Sequence, residues 1–243
     1  MKAAILGIIQ GLTEFLPISS SGHLYFLKRF FFVGDKYLSF VLFLHLATLL
    51  AIIIFFYKSI FLLFKPRLLI YIVAITFISG IMGLGIKYYF ESIFGNKYLL
   101  SFCFLINAGI LLRLKANSRQ KAWEDFNFKD ALIIGLAQGF SPFPGISRSG
   151  ITIAALLSRG FSKVQAFTLS FLMAIPLLLG AFVLEAGDLS VSAFGVESMV
   201  SGFIFAFFFG LLAIFIVKKT LMIDKFRIFG YYCLLLSLLS IIL

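Results

Sequence analysis

Apolar positions dominate this chain in long runs that short polar segments interrupt. A run of about 20 apolar residues is long enough for a helix that crosses a bilayer. The segments that meet this length are predicted to be membrane spans, near 38–57, 68–90, 98–114, 162–184, 198–217 and 226–243. Two shorter runs end in clusters of proline, serine and glycine, which favours re-entrant helix pairs over 3–33 and 131–160. The predicted class is an all-α polytopic membrane protein with six spans and two re-entrant elements.

The second re-entrant segment repeats the first. Residues 7–22 align without gaps on 135–150, and eight of the sixteen positions are identical. The identical pairs are Gly7/Gly135, Gln10/Gln138, Gly11/Gly139, Phe15/Phe143, Ile18/Ile146, Ser19/Ser147, Ser21/Ser149 and Gly22/Gly150. An odd number of crossings separates the copies, so 1–114 and 131–243 are predicted to be inverted repeats joined by a polar linker over 115–130. In transporter folds such repeats bring two broken helices together near the bilayer midplane.

Composition excludes a soluble domain. The 243 residues are 62% hydrophobic and 13% charged, with a mean hydropathy of +1.10. The formal net charge of +11 does not indicate a nucleic-acid surface, because Lys and Arg stand singly between apolar runs, as lipid-headgroup anchors do. Cys103 and Cys233 lie within apolar runs and are predicted to pack there, not to form a disulfide or bind metal. The N-terminus lacks a basic region and a cleavage site, so no cleaved signal peptide is expected.

Lys and Arg are distributed unequally between the two sides that this topology defines. The N-terminal side carries Lys2, Lys28, Arg29, Lys36, Lys87 and Lys97. The opposite side carries Lys58, Lys65, Arg67, Arg113, Lys115, Arg119, Lys121, Lys129, Arg159, Lys163, Lys218, Lys219, Lys225 and Arg227. By the positive-inside rule the second side faces the cytoplasm, and both termini are predicted to lie outside.

The second polar break, 141–152, has the composition of an anion site. Its prolines stop one helix, Gly145 permits a positive φ angle, and a new helix is expected to start at about Gly150. A helix start offers free N–H groups and a positive dipole end, and Arg148 adds a fork that matches phosphate oxygens. The hydroxyls beside it belong to Ser147, Ser149 and Thr152. The alternative is a polar loop with Arg148 at the lipid headgroups.

The first break combines an acid, hydroxyls and an imidazole. Gln10 and Glu14 are four residues apart and share one helix face. An ionisable Glu14 within an apolar run indicates function, and the bland alternative is a carboxylate at the interface. Ser19, Ser20 and Ser21 follow, with His23 close behind; turn chemistry and simple packing are the alternatives for these residues. His45 either lines a cavity or bonds within the bundle, and Asn107 and Gln138 are candidates for hydrogen bonds between helices.

The two breaks resemble the signature motifs of the undecaprenyl-diphosphate phosphatases of the bacitracin-resistance (BacA-type) family. Gln10–His23 resembles the first signature, in which an acid or Gln precedes a Glu and a serine-rich Gly-His, and Pro144–Thr152 resembles the second. The resemblance extends over nearly the whole chain. It implies an integral membrane enzyme that hydrolyses undecaprenyl diphosphate to undecaprenyl phosphate and phosphate. Such an enzyme recycles the lipid carrier of peptidoglycan and cell-envelope synthesis and gives bacitracin resistance.

Carried over by position, the resemblance implies catalytic roles for Glu14, Ser20, His23 and Arg148, with Ser20, or a water in its place, as the nucleophile. The implied substrate-binding residues are Gln10, Ser19, Ser21, Ser147, Ser149 and Thr152. The resemblance also implies a divalent cation, Mg²⁺ or Ca²⁺, with Glu14 as its candidate ligand. Gln10 departs from the family pattern, since many members carry Glu there.

The resemblance further implies a homodimer in the bacterial plasma membrane, surrounded by membrane lipids and with an outward-facing site. The alternative function is a transporter or flippase of a polyprenyl phosphate lipid. That function suits an inverted repeat with broken helices equally well, but it requires neither a nucleophile nor a proton donor.

Overall fold

The computed structural model describes residues 2–31, 36–115, 120–185 and 195–242. Within them the chain is helical and forms no β-strand, which confirms the all-α class. The α-helices are α1 (Lys2–Phe15), α2 (Ser20–Phe31), α3 (Lys36–Phe55), α4 (Pro66–Phe90), α5 (Lys97–Leu112), α6 (Phe128–Gly139), α7 (Arg148–Ser158), α8 (Lys163–Glu185), α9 (Val196–Met222) and α10 (Arg227–Ile242). Residues 32–33 of the first predicted re-entrant segment and 116–119 of the predicted linker lie outside the described residues.

Three helical segments are long and apolar enough to cross a membrane. They are Pro66–Ile93, Lys163–Leu184 and Val196–Met222, with mean hydropathies of 2.3, 2.3 and 2.7. Shorter apolar helices cover Phe40–Phe55, Lys97–Leu112 and Arg227–Ile242. Large apolar side chains lie exposed on the outside of the bundle, such as Phe77 at 67% exposure. Such a surface suits contact with lipid and not with water. The protein is a polytopic membrane protein.

Small residues let the short helices α1 and α6 pack closely against long ones. A Cβ atom at Gly11 would lie 2.5 Å from the Ala206 carbonyl oxygen of α9. A Cβ atom at Gly139 would lie 2.7 Å from the Cβ of Met82 on α4. Both distances are shorter than real Cβ contacts, so each helix pair approaches as it does only because glycine has no side chain.

Helices α5 and α10 run antiparallel. The Ser101 hydroxyl donates to the Ser237 carbonyl at 2.8 Å, and the Ser237 hydroxyl donates to the Ser101 carbonyl at the same distance. Toward the start of α5, Lys97 Nζ donates to the Ile241 carbonyl, four residues further along α10. Contacts that advance on one helix and recede on the other define antiparallel packing.

The two polar breaks meet inside the bundle. Ser19 adopts a left-handed φ of 66°, and its hydroxyl accepts a hydrogen bond from the Gly145 N–H at 3.0 Å. Gly145 has a φ of 101°, as its place between Pro144 and a helix start suggested. The following helix begins at Arg148 and not near Gly150, because the Ser147 hydroxyl accepts from the Gly150 N–H and makes Ser147 the N-cap.

Candidate functional site

Glu14 joins the two breaks. It lies in the last turn of α1, and only 8% of its surface is exposed. Its Oε1 accepts a hydrogen bond from Arg148 Nη2 at 3.0 Å, across 134 positions of sequence. Its Oε2 accepts from the Ser20 hydroxyl at 2.9 Å, at the start of α2. The structure therefore brings three of the four predicted catalytic residues into direct contact.

Arg148 keeps part of its guanidinium available for a ligand. It is the first residue of α7, so its side chain stands beside the free N–H groups of a helix start. Nη2 binds Glu14, whereas Nη1 is a buried donor without a hydrogen-bond partner within the described residues. An unpaired buried donor is unfavourable unless something accepts from it. An anionic oxygen is the acceptor that a guanidinium binds best.

Gln10 and His45 complete the surroundings of Glu14. Gln10 Nε2 lies 3.2 Å from Glu14 Oε2 and 3.2 Å from His45 Nε2. His45 Nε2 is also 3.5 Å from Glu14 Oε2. His45, on α3, thus faces the site and contacts two of its residues. Gln10 Oε1 is buried and has no hydrogen-bond partner within the described residues.

The predicted phosphate-binding hydroxyls shape the breaks. The hydroxyl oxygens of Ser19 and Ser21 lie 3.2 Å apart, and those of the corresponding Ser147 and Ser149 lie 3.1 Å apart. Ser149 also donates to the Phe15 carbonyl at 2.8 Å and so ties α7 to the end of α1. In both breaks the first serine caps the helix that follows, since its hydroxyl accepts from the N–H of the glycine three positions later.

Thr152 lies behind Arg148 on α7. Its hydroxyl donates to the Arg148 carbonyl at 2.8 Å and lies 2.5 Å from the Ser170 hydroxyl on α8. Both Thr152 and Ser170 are fully buried. In this structure Thr152 supports the helix that carries Arg148.

The hydrogen bonds of the His23 ring go to Ser19 and Tyr232, and not to Glu14 or Ser20. Its Nδ1 is 2.7 Å from the Ser19 carbonyl oxygen, and its Nε2 is 2.9 Å from the Tyr232 hydroxyl. The two rings stack with centroids 5.7 Å apart. Tyr232 was not found from sequence, because it lies on α10, 209 positions from its partner. His23 therefore belongs to the edge of the site that faces α10.

An apolar groove of about 560 Å³ begins at this edge. It lies between α1, α2 and α10, and its side chains are Ile9, Leu12, Thr13, Leu16, Ile18, His23, Phe26, Leu27, Ile228, Phe229 and Tyr232. Its polar members are Thr13, His23 and Tyr232, and the last two contact each other. Because α1 carries Glu14 on another face, the groove and the polar site share one helix as a wall.

Asn107 holds the two breaks in register from α5. Its Nδ2 donates to the Pro17 carbonyl at 3.0 Å, and its Oδ1 accepts from the Ser147 N–H at 3.2 Å. Nδ2 also lies 3.2 Å from Cys233 Sγ. The expectation that Asn107 makes hydrogen bonds between helices is confirmed. Cys103 and Cys233 are both free and buried, as the apolar runs around them suggested.

The residues at the site fit a divalent cation held together with a ligand. Mg²⁺ is commonly bound by one or two carboxylates and by substrate phosphates. Glu14 supplies one carboxylate, and Gln10, whose Nε2 contacts it, carries a second hard oxygen, Oε1, without a hydrogen-bond partner within the described residues. The described part of the chain contains no group of three acidic, His or Cys side chains that could hold a metal ion unaided. A cation held here would need further ligands from a bound phosphate.

Comparison with known proteins points to the family that the two sequence motifs resemble. Residues 3–239 match the family described as bacitracin resistance protein BacA. The chain belongs to this family. A curated relative from Thermosipho africanus, an undecaprenyl-diphosphatase, is 40% identical over 99% of this chain and 98% of its own.

Relatives of the same name extend this finding. An undecaprenyl-diphosphatase from Methanococcus maripaludis is 41% identical over 98% of this chain and 97% of its own. Another, from Carboxydothermus hydrogenoformans, is 37% identical over 100% and 96%. The family that the two motifs suggested is therefore confirmed over the full length of the chain.

Proposed function

We propose that this protein is an integral membrane phosphatase that hydrolyses undecaprenyl diphosphate to undecaprenyl phosphate and inorganic phosphate. Its membership of the BacA family and its full-length similarity to undecaprenyl-diphosphatases support this activity. The observation that carries the proposal is the contact between the two breaks, in which Glu14 binds both Arg148 and Ser20. The contact places a carboxylate, a hydroxyl and a guanidinium around one point, and this arrangement suits phosphoryl transfer. By recycling the lipid carrier, the enzyme serves cell-envelope synthesis, and bacitracin resistance is a property of its family.

Arg148 is the residue proposed to hold the diphosphate. Its unpartnered Nη1 donates to an oxygen of the terminal phosphate, next to the positive end of α7. The negative charge that develops on the phosphate oxygens during transfer strengthens this interaction, so it lowers the barrier as well as binding the substrate.

Ser20 is proposed as the nucleophile. Its hydroxyl already donates to Glu14 Oε2 at 2.9 Å, so the carboxylate is placed to accept the proton as Ser20 Oγ attacks the terminal phosphorus. The bond from that phosphorus to the bridging oxygen breaks, and undecaprenyl phosphate leaves. Water then hydrolyses the phosphoserine and releases phosphate. A water held by Ser20 and Glu14 could attack directly with the same loss of a proton to Glu14.

His23 and the groove are proposed to serve the lipid side of the reaction. The isoprenoid chain of the substrate needs an apolar surface, and the groove beside α1 provides one next to the polar site. His23 stands where this groove meets the first break and faces Tyr232. It is therefore placed to exchange a proton near the phosphate that stays on the lipid.

A divalent cation is proposed to bind with the diphosphate, held by the Glu14 carboxylate and Gln10 Oε1. When bound, it would neutralise charge on the phosphate oxygens. Glu14 would keep its contact with Arg148 through its other oxygen, so one carboxylate would serve both partners.

The proposed arrangement in the membrane is an inverted repeat of two re-entrant elements and six spans. The packing of the glycines supports it. Gly11 meets Gly210 on α9, and Gly139 meets Met82 on α4. Gly139 follows Gly11 by 128 positions, and Gly210 follows Met82 by the same number, so each copy inserts its short helix into the other in the same way. The charge distribution further favours both termini outside, and the family resemblance implies the plasma membrane with the site facing outward.

The proposal is tested by measuring phosphate release from a long-chain prenyl diphosphate by purified protein in detergent with Mg²⁺. Arg148→Ala and Glu14→Ala proteins, shown to be folded, run alongside. Turnover by the unaltered protein that falls by at least about 10³-fold in both variants is expected, since each variant removes a transition-state contact. Absence of turnover from folded, unaltered protein at any divalent ion concentration would contradict a phosphatase and favour a lipid transporter.

A further inference from the structure

Tyr232 brings a hydroxyl from α10 to the apolar groove beside α1. The side chain is partly exposed, and its hydroxyl oxygen lies 2.9 Å from His23 Nε2. The other hydroxyl of the groove belongs to Thr13 and donates to the Ile9 carbonyl at 2.7 Å, within its own helix. Apart from His23, the remaining lining residues have apolar side chains. The groove therefore offers a ligand one polar point, the pair of His23 and Tyr232.

The contacts of this pair show which hydrogen atom a ligand can take. His23 Nδ1 lies 2.7 Å from the Ser19 carbonyl oxygen, which only accepts, so Nδ1 carries a hydrogen and donates it to Ser19. In a neutral ring Nε2 accepts from the Tyr232 hydroxyl, and in a charged ring Nε2 donates to it and leaves the hydroxyl hydrogen free. In both states the Tyr232 hydroxyl is the donor that can turn toward a ligand.

The ligand that suits the groove is an anion on an apolar chain. A charged oxygen forms a stronger hydrogen bond with a hydroxyl than a neutral imidazole does, so it can draw the Tyr232 hydrogen away from His23. The other lining side chains favour an apolar chain, because both surfaces then leave water or lipid for a closer contact. A phosphate attached to a prenyl chain combines these two properties.

The pair also adjoins the break that carries the proposed nucleophile. Ser20 lies between Ser19 and His23 in the chain, and its hydroxyl donates to Glu14 at 2.9 Å. The Ser19 hydroxyl accepts from the Gly145 N–H, so the same segment is joined to the second break. The groove and the polar site thus meet at residues 19–23, where the head of a lipid passes from one to the other.

We propose that the Tyr232 hydroxyl binds the phosphate that stays on the lipid, by turning its hydrogen from His23 Nε2 to an oxygen of that phosphate. The terminal phosphate then lies at Arg148, and the prenyl chain lies in the groove. This assignment of the two phosphates rests on the proposed function, but the affinity of the pair for a lipid-linked phosphate does not. Since the phosphate on the lipid survives hydrolysis, a lipid monophosphate keeps the contact with Tyr232.

Calorimetric titration of geranyl phosphate into purified protein in detergent tests this contact. Tyr232→Phe removes the hydroxyl and keeps the ring, so the affinity for geranyl phosphate should fall by about 10-fold or more. Tyr231→Phe is the matched control and should keep the affinity, since Tyr231 is 64% exposed and does not line the groove. Geraniol, with the same chain and no phosphate, should bind more weakly and equally to both variants. Geranic acid, with a carboxylate on that chain, should also bind more weakly than geranyl phosphate.

NMR of protein labelled with ¹⁵N-histidine tests whether the hydroxyl turns. The chain contains two histidines, His23 and His45, so a His45→Gln sample assigns both rings. Geranyl phosphate should shift the His23 Nε2 signal and leave Nδ1 nearly unchanged, because the bond to Ser19 persists. Geraniol should move neither signal. This readout uses protein with Tyr232 in place, so it applies even if Tyr232→Phe does not fold.

Three results would overturn the proposal: equal affinity of the Tyr232→Phe and Tyr231→Phe proteins for geranyl phosphate, geraniol or geranic acid binding as tightly as geranyl phosphate, or an unmoved His23 Nε2 signal at saturation. Neither readout depends on turnover. A protein that gives the expected affinities and signals but releases no phosphate would refute the phosphatase and leave the role of Tyr232 intact. An active enzyme in which Tyr232→Phe binds geranyl phosphate as tightly as Tyr231→Phe would refute only the role of Tyr232.

Discussion

Asn107 connects the two breaks although it is not itself a predicted catalytic or substrate-binding residue. It is fully buried and connects Pro17 of the first break with Ser147 of the second. Its amide supplies the donor for one and the acceptor for the other, which no apolar residue of the same size can do. We therefore expect the distance between Glu14 and Arg148 to depend on Asn107.

Replacing Asn107 with Leu is expected to lower both stability and activity. The free energy of unfolding should fall by about 1–3 kcal/mol, because the Ser147 N–H loses its acceptor and the Pro17 carbonyl keeps only the weak Cys233 thiol donor. Phosphate release should fall further than this loss explains, since the breaks lose their register. Thermal unfolding in detergent and kcat measure the two effects.

Ser101→Ala is the matched control for this variant. Ser101 is also a buried polar residue on α5 and bonds to Ser237 of α10, but it contacts neither break. It should lose stability and keep its kcat. If Asn107→Leu loses no more activity than Ser101→Ala does, Asn107 does not set the register of the site.

Sequence reasoning found the residues of the site that stand in unusual surroundings. Glu14 and Arg148 could be chosen because a charge within an apolar run is unfavourable unless it has a function. His45 stayed undecided and Tyr232 was missed, because their importance comes only from partners 35 and 209 positions away. No local pattern encodes such distances, so these residues need the fold.

At the scale of helices, α1 is the element whose position matters most. It carries Gln10 and Glu14, and it packs against α9 through Gly7 and Gly11, which adjoin these two residues on the helix surface. Any change that moves the two helices apart also moves the carboxylate away from Arg148. The close approach of the backbones is therefore a condition for the site.

Gly11→Ala tests this condition. The new Cβ would lie 2.5 Å from the Ala206 carbonyl oxygen and 2.9 Å from the Gly210 nitrogen, both rigid backbone atoms. Overpacking of this kind is expected to destabilise the protein by about 1–3 kcal/mol and to reduce phosphate release. Gly80→Ala on α4 is the control, since its Cβ would meet nothing within 4 Å. Equal behaviour of the two variants in thermal unfolding and activity would contradict a role for the α1–α9 contact.

Hydrophobic runs predicted most helices, because length and mean hydropathy are properties of a segment alone. The start of α7 was placed near Gly150 and lies at Arg148, because the N-cap depends on one side-chain hydrogen bond from Ser147. The close approach of α1 and α9 could not be predicted, since a glycine in an apolar run carries no information about its partner.

At the scale of the whole molecule, the antiparallel packing of α5 and α10 constrains the topology. Each is the last helix of its proposed repeat, and they meet through the reciprocal pair Ser101 and Ser237. Two copies of the same orientation would place these helices parallel. The observed direction is the one that an inverted repeat produces.

The inverted repeat and its orientation predict which surface positions an impermeant thiol reagent reaches from outside intact cells. The native thiols are buried, with Cys103 at 3% and Cys233 at 0% exposure, so they should stay silent. Glu91→Cys is expected to react, because the proposed topology places the loop after α4 on the outer side. Lys65→Cys should react only after the membrane is permeabilised, because it precedes α4 on the side rich in Lys and Arg. Both positions are exposed, so access to each depends on the membrane alone.

The second repeat supplies an independent pair, in which Cys at position 197 should react and Cys at position 225 should be protected. Reaction of positions 65 and 91 from the same side would show that α4 does not cross, and the inverted repeat could not then hold.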